Sequence, residues 1–296
     1  MRVLITGWPS FVRGEATAGD VRSMCRVAAG LSDHGIPLDV AWSPRFVPGG
    51  WDLDAARGTE YSHVVFACGP VAGDRIDALH EAFPRSRRIA VGVSVVDGGA
   101  DGFHVVLPRD GGTAPPELDL ATRPGRHDVP VVGVVLAPGQ PEYGPRRRHD
   151  VVHERIGSWL GALDAAPVVL DSRLDTADWR HCSTADQFAA LLGRVDVVLT
   201  SRLHGLVFAL GEGVPALAVD PVAGGGKVTE QARAWDWPAL VGAEQLVGDE
   251  RGRALDRWWS WCRSETGRAR ARQRAAAAED GSPLVAELVR ELRARP

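Results

Sequence analysis

Short apolar runs alternate along the chain with longer stretches in which apolar positions recur every three or four residues. Val3 to Ile5 reads as a first strand, followed by a glycine-containing loop and a helix from Asp20 to Asp33. Pro37–Trp42, Ser62–Cys68, Arg88–Val95 and Phe103–Leu107 are rich in β-branched residues and read as strands, with a helix at Asp74–Ala82 between them. Pro108 to Pro130 holds five prolines and several glycines without either periodicity, and reads as a linker. A second series follows, with strands at Val131–Leu136, Pro167–Leu170, Val195–Thr200 and Pro215–Val219. Its helices are expected at His149–Leu163, Thr184–Gly193, Leu206–Glu212, Thr229–Asp236, Asp249–Asp280 and Ser282–Arg293.

Strands alternating with helices mean βαβ units and parallel sheets. The fold class expected is therefore α/β, two Rossmann-like domains facing each other across a cleft, at residues 1–122 and 130–296. Ligands of open parallel sheets bind at the carboxyl ends of the strands. The loops after Ile5, Cys68, Val95, Leu136, Thr200 and Val219 are thus the places for a site.

Composition narrows the picture. The 296 residues are 45% hydrophobic and 24% charged, an ordinary globular balance that excludes disordered and fibrous classes. A net charge of -4 gives no reason to expect nucleic acid or an anionic membrane as partner. No apolar run is long enough to span a bilayer, and Met1-Arg2 leads straight into a strand rather than a secretory leader. Cys25, Cys68, Cys182 and Cys262 form no CxxC pair, so reduced thiols and a cytoplasmic location are expected. Lys227 is the one lysine; every other basic residue is arginine. Codon bias toward arginine explains the rest, and a lysine that survives such bias either marks a place where a compact ammonium is wanted or survives by chance.

Thr200-Ser201-Arg202-Leu203-His204-Gly205 follows a strand and opens an apolar helix. Arg202 offers a planar fork for carboxylate or phosphate, and His204 is suited to moving a proton near neutral pH. Free N–H groups of Ser201 to Gly205 at the positive end of the helix would add to the attraction for an anion. An arginine paired with an acid and a histidine at a helix start would explain the same residues. Ala223-Gly224-Gly225-Gly226-Lys227 lacks the glycine and the Ser or Thr of a Walker A loop, since Pro221 and Val228 occupy those places. It reads either as a turn presenting Lys227 to an anion or as a plain surface turn.

Other features point to structure. The first loop lacks G-x-G-x-x-G, and Gly19-Asp20 stands where Asp20 would cap a helix. His149 and His153 are four apart on a helix, but Arg146, Arg147 and Arg148 beside them disfavour a metal, and none is expected. Trp258, Trp259 and Trp261 read as packing residues, with a ligand platform or an oligomer interface as the other possibilities. Arg263 to Arg274 read as a solvated face.

From His181 to Ala243 the chain resembles the polysaccharide pyruvyl transferase family. The resemblance rests on Cys182-Ser-Thr-Ala-Asp-Gln-Phe188, Asp196-Val-Val-Leu-Thr-Ser-Arg-Leu-His-Gly205, Ala209 to Asp220, and Gly224-Gly-Gly-Lys227. Upstream, Gly19-Asp20 looks like the family's Asn-x-Gly-Asp helix start, with Thr17 in place of Asn. Cys68-Gly69-Pro70 resembles a degenerate Gly-Gly-Gly turn, and Val91-Gly-Val-Ser94 with Arg109-Asp110 fits later markers.

The resemblance implies a GT-B-like enzyme that takes phosphoenolpyruvate as co-substrate, without a cofactor or metal, and attaches pyruvate as a ketal across two hydroxyls of a sugar, a glycan or a lipid-linked saccharide of the cell envelope. It implies His204 as general acid or base, and Arg202, Lys227, Ser201 and Gly205 as donor-binding. Asp20, Gly19 and Ser94 lie on the expected acceptor side. The departures at Thr17 and Cys68 leave room for an unusual acceptor. A glycosyltransferase using a nucleotide sugar, with Glu212 or Asp220 on the ribose, and a non-catalytic relative of the fold are the alternatives.

Overall fold

The computed structural model describes residues 1–96, 100–113, 115–122, 128–249, 252–278 and 282–294. The chain divides into two compact units, Met1–Arg126 and His127–Pro296.

The first unit runs β1 (Val3–Thr6), α1 (Ala18–Asp33), β2 (Leu38–Val40), α2 (Leu53–Arg57), β3 (His63–Pro70), α3 (Asp74–Ala82), β4 (Arg87–Ser94) and β5 (Val105–Asp110). Its five strands pair in parallel in the order β2-β1-β3-β4-β5. Alternation along β1 and β3 feeds two layers. Leu4, Val64 and Phe66 pack with Ile76 and Leu79 on one face, whereas Val3, Ile5, Val65 and Ala67 pack with Met24 on the other. Both faces are buried, so the strands read as continuous apolar runs.

The second unit runs β6 (Val131–Val135), α4 (His149–Ala162), β7 (Ala166–Val169), α5 (Ala185–Leu192), β8 (Val197–Thr200), α6 (Leu203–Gly211), β9 (Ala216–Asp220), α7 (Lys227–Ala234), β10 (Leu240–Gly242), α8 (Ala243–Gly248), α9 (Arg253–Arg263), α10 (Glu265–Ala278) and α11 (Pro283–Arg293). Its sheet is again parallel, in the order β10-β9-β8-β6-β7. Counted from the first strand of each unit, both sheets therefore have the order 2-1-3-4-5. That order places a topological switch point between β1 and β3 in one unit and between β6 and β8 in the other. Two parallel α/β units in succession bear out the expected α/β class with two Rossmann-like domains.

Several boundaries differ from expectation, each for a local reason. Thr17, not Asp20, caps α1: its hydroxyl accepts the Asp20 N–H at 3.1 Å, which puts Asp20 inside the first turn. α6 starts at Leu203 and α7 at Lys227, so His204, Gly205 and Lys227 are helical rather than in loops. The expected helix 249–280 is two helices, broken at Ser264, whose backbone is extended and whose hydroxyl accepts the Gly267 N–H at 3.1 Å. Positions 250, 251, 279 and 280 of that expectation lie outside the described residues. Within the expected linker, β5 continues to Asp110, and Leu120 and Thr122 carbonyls accept bonds from Arg26 of α1; positions 114 and 123–127 lie outside the described residues. α2, α8 and β10 were not foreseen, being only three to six residues long.

Trp259 is buried edge-on against Trp159, and Trp261 packs against Trp237, so the tryptophans serve the core of the second unit. This removes the reason to read them as an interface. The arginine run is not simply solvated either, because Arg270 and Arg274 both bond the Asp236 carboxylate and Arg272 bonds Glu265.

Candidate functional site at the strand carboxyl ends

At the switch point of the second unit, Thr200 ends β8 beside Val135 at the end of β6. Its buried hydroxyl lies 2.8 Å from the Val135 carbonyl and 2.9 Å from the Arg202 carbonyl, and accepts the Arg202 N–H at 2.9 Å. The turn is thereby drawn tight under the first turn of α6. Gly205 packs directly onto it: a Cβ there would stand 2.3 Å from Thr200 Oγ1 and 3.1 Å from Val135 Cβ. No side chain fits at 205 without displacing the strand ends.

Ser201 is buried and joins three segments. Its Oγ accepts the Ala137 N–H from the loop after β6 at 2.9 Å and lies 2.9 Å from His153 Nε2 on α4. Burial, then the neighbouring His149, holds the His153 imidazole below its ordinary pKa, with Asp150 opposing. Burial and then the charge of Arg147 lower His149 in the same way, against Asp150, Asp220 and Glu142. The two rings meet edge-on with centroids 5.9 Å apart. Among the described residues, no group of three or more His, Cys, Asp or Glu is placed to hold a metal ion.

Arg202 is the N-cap residue of α6, in extended backbone, and the helix has no side-chain cap. Its Nη1 lies 3.2 Å from Asp171 Oδ1. Asp171 stands just beyond β7, and β6 separates β7 from β8 in the sheet. The Arg202 side chain therefore reaches across the carboxyl end of β6. His204 is exposed on the first turn of α6.

Asp220, fully buried at the end of β9, organises the glycine turn. Its Oδ2 accepts Gly226 N–H (2.7 Å), Thr229 N–H (2.8 Å) and Thr229 Oγ1–H (2.6 Å), while Oδ1 accepts Val222 N–H at 3.0 Å. Gly224 and Gly225 take left-handed φ values of 74° and 86°. From outside, the Ala223 N–H donates to Arg146 O, the Arg148 N–H to Pro221 O, and the Gly224 N–H to Glu244 Oε1. Lys227 is the first residue of α7, half-buried. Because β8 and β9 are neighbours, α6 and α7 begin side by side. Ser201, Arg202, His204, Gly205 and Lys227 thus share one edge of the second sheet. Glu212 lies at the opposite, amino edge, beyond the last turn of α6. With Asp220 spent on its own loop, neither acid is placed as a ribose ligand.

In the first unit, the Thr17 hydroxyl also donates to Asp20 Oδ2 at 2.6 Å. Gly19 meets only ordinary contact, 3.7 Å from Thr17 Oγ1 to a built Cβ. Ser94 ends β4 and accepts a bond from Arg109 Nη2 at 2.6 Å; Arg109 also bonds Asp110 and Asp119. Cys68 near the end of β3 is buried, with its Sγ 3.9 Å from Arg109 Nη1 and its φ at 67°. Burial pushes its thiol up, Ser23 opposes, and the charges of Asp119 and Asp20 add to the rise. Asp20, Ser94, Cys68 and Arg109 therefore share the carboxyl rim of the first sheet.

Sequence reasoning weighed His153 only as a metal ligand and missed its contact with Ser201, as well as Asp171 and the structural use of Asp220. Asp220-Pro221 ahead of a glycine run was a usable signal for a loop-folding carboxylate. Nothing in local spacing pairs residue 153 with 201, or 171 with 202.

Residues 172–221 match the sequence model described as polysaccharide pyruvyl transferase. No curated protein matches the chain in sequence. Among solved structures, the spinosyn rhamnosyltransferase SpnG complexed with thymidine diphosphate is 12% identical, covers 99% of this chain and 100% of its own, and superposes with a TM-score of 0.37. The glycotransferase of kitacinnamycin is 12% identical over 98% of each chain, at a TM-score of 0.34. The heptosyltransferase WaaC of E. coli with ADP is 11% identical over 88% of this chain and 100% of its own, at 0.26. Ser201, Arg202, His204 and Gly205 all lie within the stretch that matches this model, and Lys227 lies beyond it.

Proposed function

We propose that the chain is a ketal pyruvyltransferase that uses phosphoenolpyruvate and a sugar, glycan or lipid-linked saccharide acceptor. The observation that carries this reading is the pairing of Arg202, at the uncapped start of α6, with exposed His204 one turn-position on, inside the family-matched segment. Uncapped helix N–H groups and a guanidinium form a site for a small dianionic or trianionic ligand. Lys227, at the start of the adjacent helix α7, supplies a second cation on the same edge.

The chemistry distributes among these residues. One acceptor hydroxyl adds at C2 of phosphoenolpyruvate while C3 takes a proton, phosphate leaves, and the second hydroxyl closes the ketal. His204 is assigned the proton transfers, since an imidazole is the side chain suited to them and this one is exposed on the first turn of α6, two residues from Arg202. Arg202 and Lys227 hold the carboxylate and phosphate and stabilise the charge that grows on the leaving group. Ser201 and Gly205 shape the turn. The acceptor is assigned to the rim of the first unit that carries Asp20, Gly19 and Ser94.

No helix among the described residues is long and apolar enough to cross a membrane, and all four cysteines are unpaired. We assign the chain to a cytoplasmic step of cell-envelope polysaccharide synthesis, as the family resemblance implies. The reading is tested by calorimetric titration with phosphoenolpyruvate, with Arg202→Ala as control. Saturable binding lost in the variant is expected. Stabilisation of the protein by UDP or GDP, with none by phosphoenolpyruvate, would move it to the nucleotide-sugar glycosyltransferases.

A further inference from the structure

The Arg202 side chain is held at both ends. Its backbone is fixed by Thr200, and its Nη1 rests on Asp171 Oδ1 at 3.2 Å after crossing the end of β6. Asp171 is itself locked. Its Oδ2 receives Arg173 Nε at 2.7 Å and Nη2 at 2.6 Å, and its Oδ1 accepts the Arg173 N–H at 2.9 Å. Burial favours the protonated carboxyl, but Arg173 and then Arg202 outweigh it and hold Asp171 below the ordinary carboxylate range.

Such an arrangement has a cost and a remedy. A carboxylate next to an anion-binding guanidinium repels the ligand, whereas an unheld arginine has many rotamers and loses affinity by being ordered on binding. Arg173 offsets the charge of Asp171 through its own bonds to that carboxylate. What remains is orientation: Nη1 is occupied, and Nε and Nη2, the other edge of the planar fork, are left for a bidentate anion.

We propose that Asp171 is a positioning residue that aims the Arg202 fork at the anionic donor across the end of β6, and that Arg173 neutralises it so that orientation is obtained without repulsion. The proposal rests on the phosphoenolpyruvate reading above for the identity of the anion. It names no contact between Asp171 and the ligand; the aspartate acts through Arg202.

Calorimetric titration with phosphoenolpyruvate separates the outcomes. Asp171→Ala should weaken binding about tenfold, and Asp171→Asn, which keeps an acceptor oxygen, less than about threefold, the tenfold step being one decade of affinity. In an Arg202→Ala background, Asp171→Ala should change affinity by less than about twofold, because the residue it positions is gone. Arg173→Ala lies at an exposed side chain and keeps the test alive should Asp171→Ala fail to fold. It should weaken binding several-fold in a salt-dependent way, and this loss should vanish when combined with Asp171→Asn. Wild-type affinity in Asp171→Ala, equal losses in the Ala and Asn variants, or an undiminished effect in the Arg202→Ala background each overturns the proposal while the donor reading stands. If wild-type protein binds UDP and not phosphoenolpyruvate, the donor reading falls, and the same variants titrated with UDP decide the role of Asp171. Binding of neither overturns both.

Discussion

Ser201 Oγ and His153 Nε2 stand 2.9 Å apart at the switch point of the second sheet, linking the residue before Arg202 to the middle of α4. The imidazole is held below its ordinary value by burial and then by His149. A base whose folded pKa lies below its unfolded value takes up a proton on unfolding, so stability rises with pH between the two. Acidification below the ordinary histidine range of ~6.5 should therefore destabilise the protein. His153→Gln, neutral throughout, should make that slope shallower. Denaturant midpoints across this range check it, and an unchanged slope would show that the ring is not held neutral.

Gly205 and Gly19 make opposite predictions. A Cβ at 205 would stand 2.3 Å from Thr200 Oγ1, so Gly205→Ala should cost about 1–3 kcal/mol even though alanine favours helix by about 1 kcal/mol. Gly19 has room, 3.7 Å to the nearest atom, and Gly19→Ala should be neutral or slightly stabilising. Urea unfolding of both variants measures the contrast. If Gly19→Ala folds normally yet loses turnover, the missing side chain at 19 is needed by the acceptor and not by the fold.

The turn at Cys68 stores backbone strain. Cys68 and Gly69 both have positive φ, 67° and 78°, a conformation that costs a non-glycine residue about 1–2 kcal/mol. Cys68→Gly and Cys68→Ala remove the same sulfur, but only glycine relieves the strain. Cys68→Gly should thus be the more stable of the two by about 1 kcal/mol, less the flexibility that glycine adds to the unfolded chain. Parallel thermal unfolding decides it; the reverse order would mean that the turn relaxes around alanine.

Arg202→Lys keeps the charge and loses the fork. A point charge cannot satisfy Asp171 and a bidentate anion together, so the KM for phosphoenolpyruvate should rise at least about tenfold. Steady-state kinetics with the lysine variant test this, and wild-type values would remove Arg202 from donor binding.

The alternation of apolar strands and amphipathic helices made both sheets legible in the sequence, because the central strands β1, β3, β6, β8 and β9 are buried and almost wholly apolar runs. Helix starts were read late. Gly205 and Gly226 argue against helix by propensity, and it is contact with Thr200 in one case and Asp220 in the other that settles the matter. The short elements β10 and α8 carry too few residues to show a period. Arg202, His204 and Lys227 were found because motif and strand end coincide. The contacts of His153 with Ser201 and of Asp171 with Arg202 were not, since each pair meets only through the strand order β8-β6-β7.

Asp220 gives the glycine turn a thermodynamic consequence. A segment of three successive glycines is among the most expensive to order, and in many anion sites the ligand bears that expense on arrival. Here four hydrogen bonds to one buried carboxylate hold the frame before any ligand is present. Ordering belongs to folding rather than to binding, and the full contact energy goes into affinity. Association at this edge should accordingly proceed in one kinetic phase, with an observed rate linear in ligand concentration and no slower loop-closing step behind it.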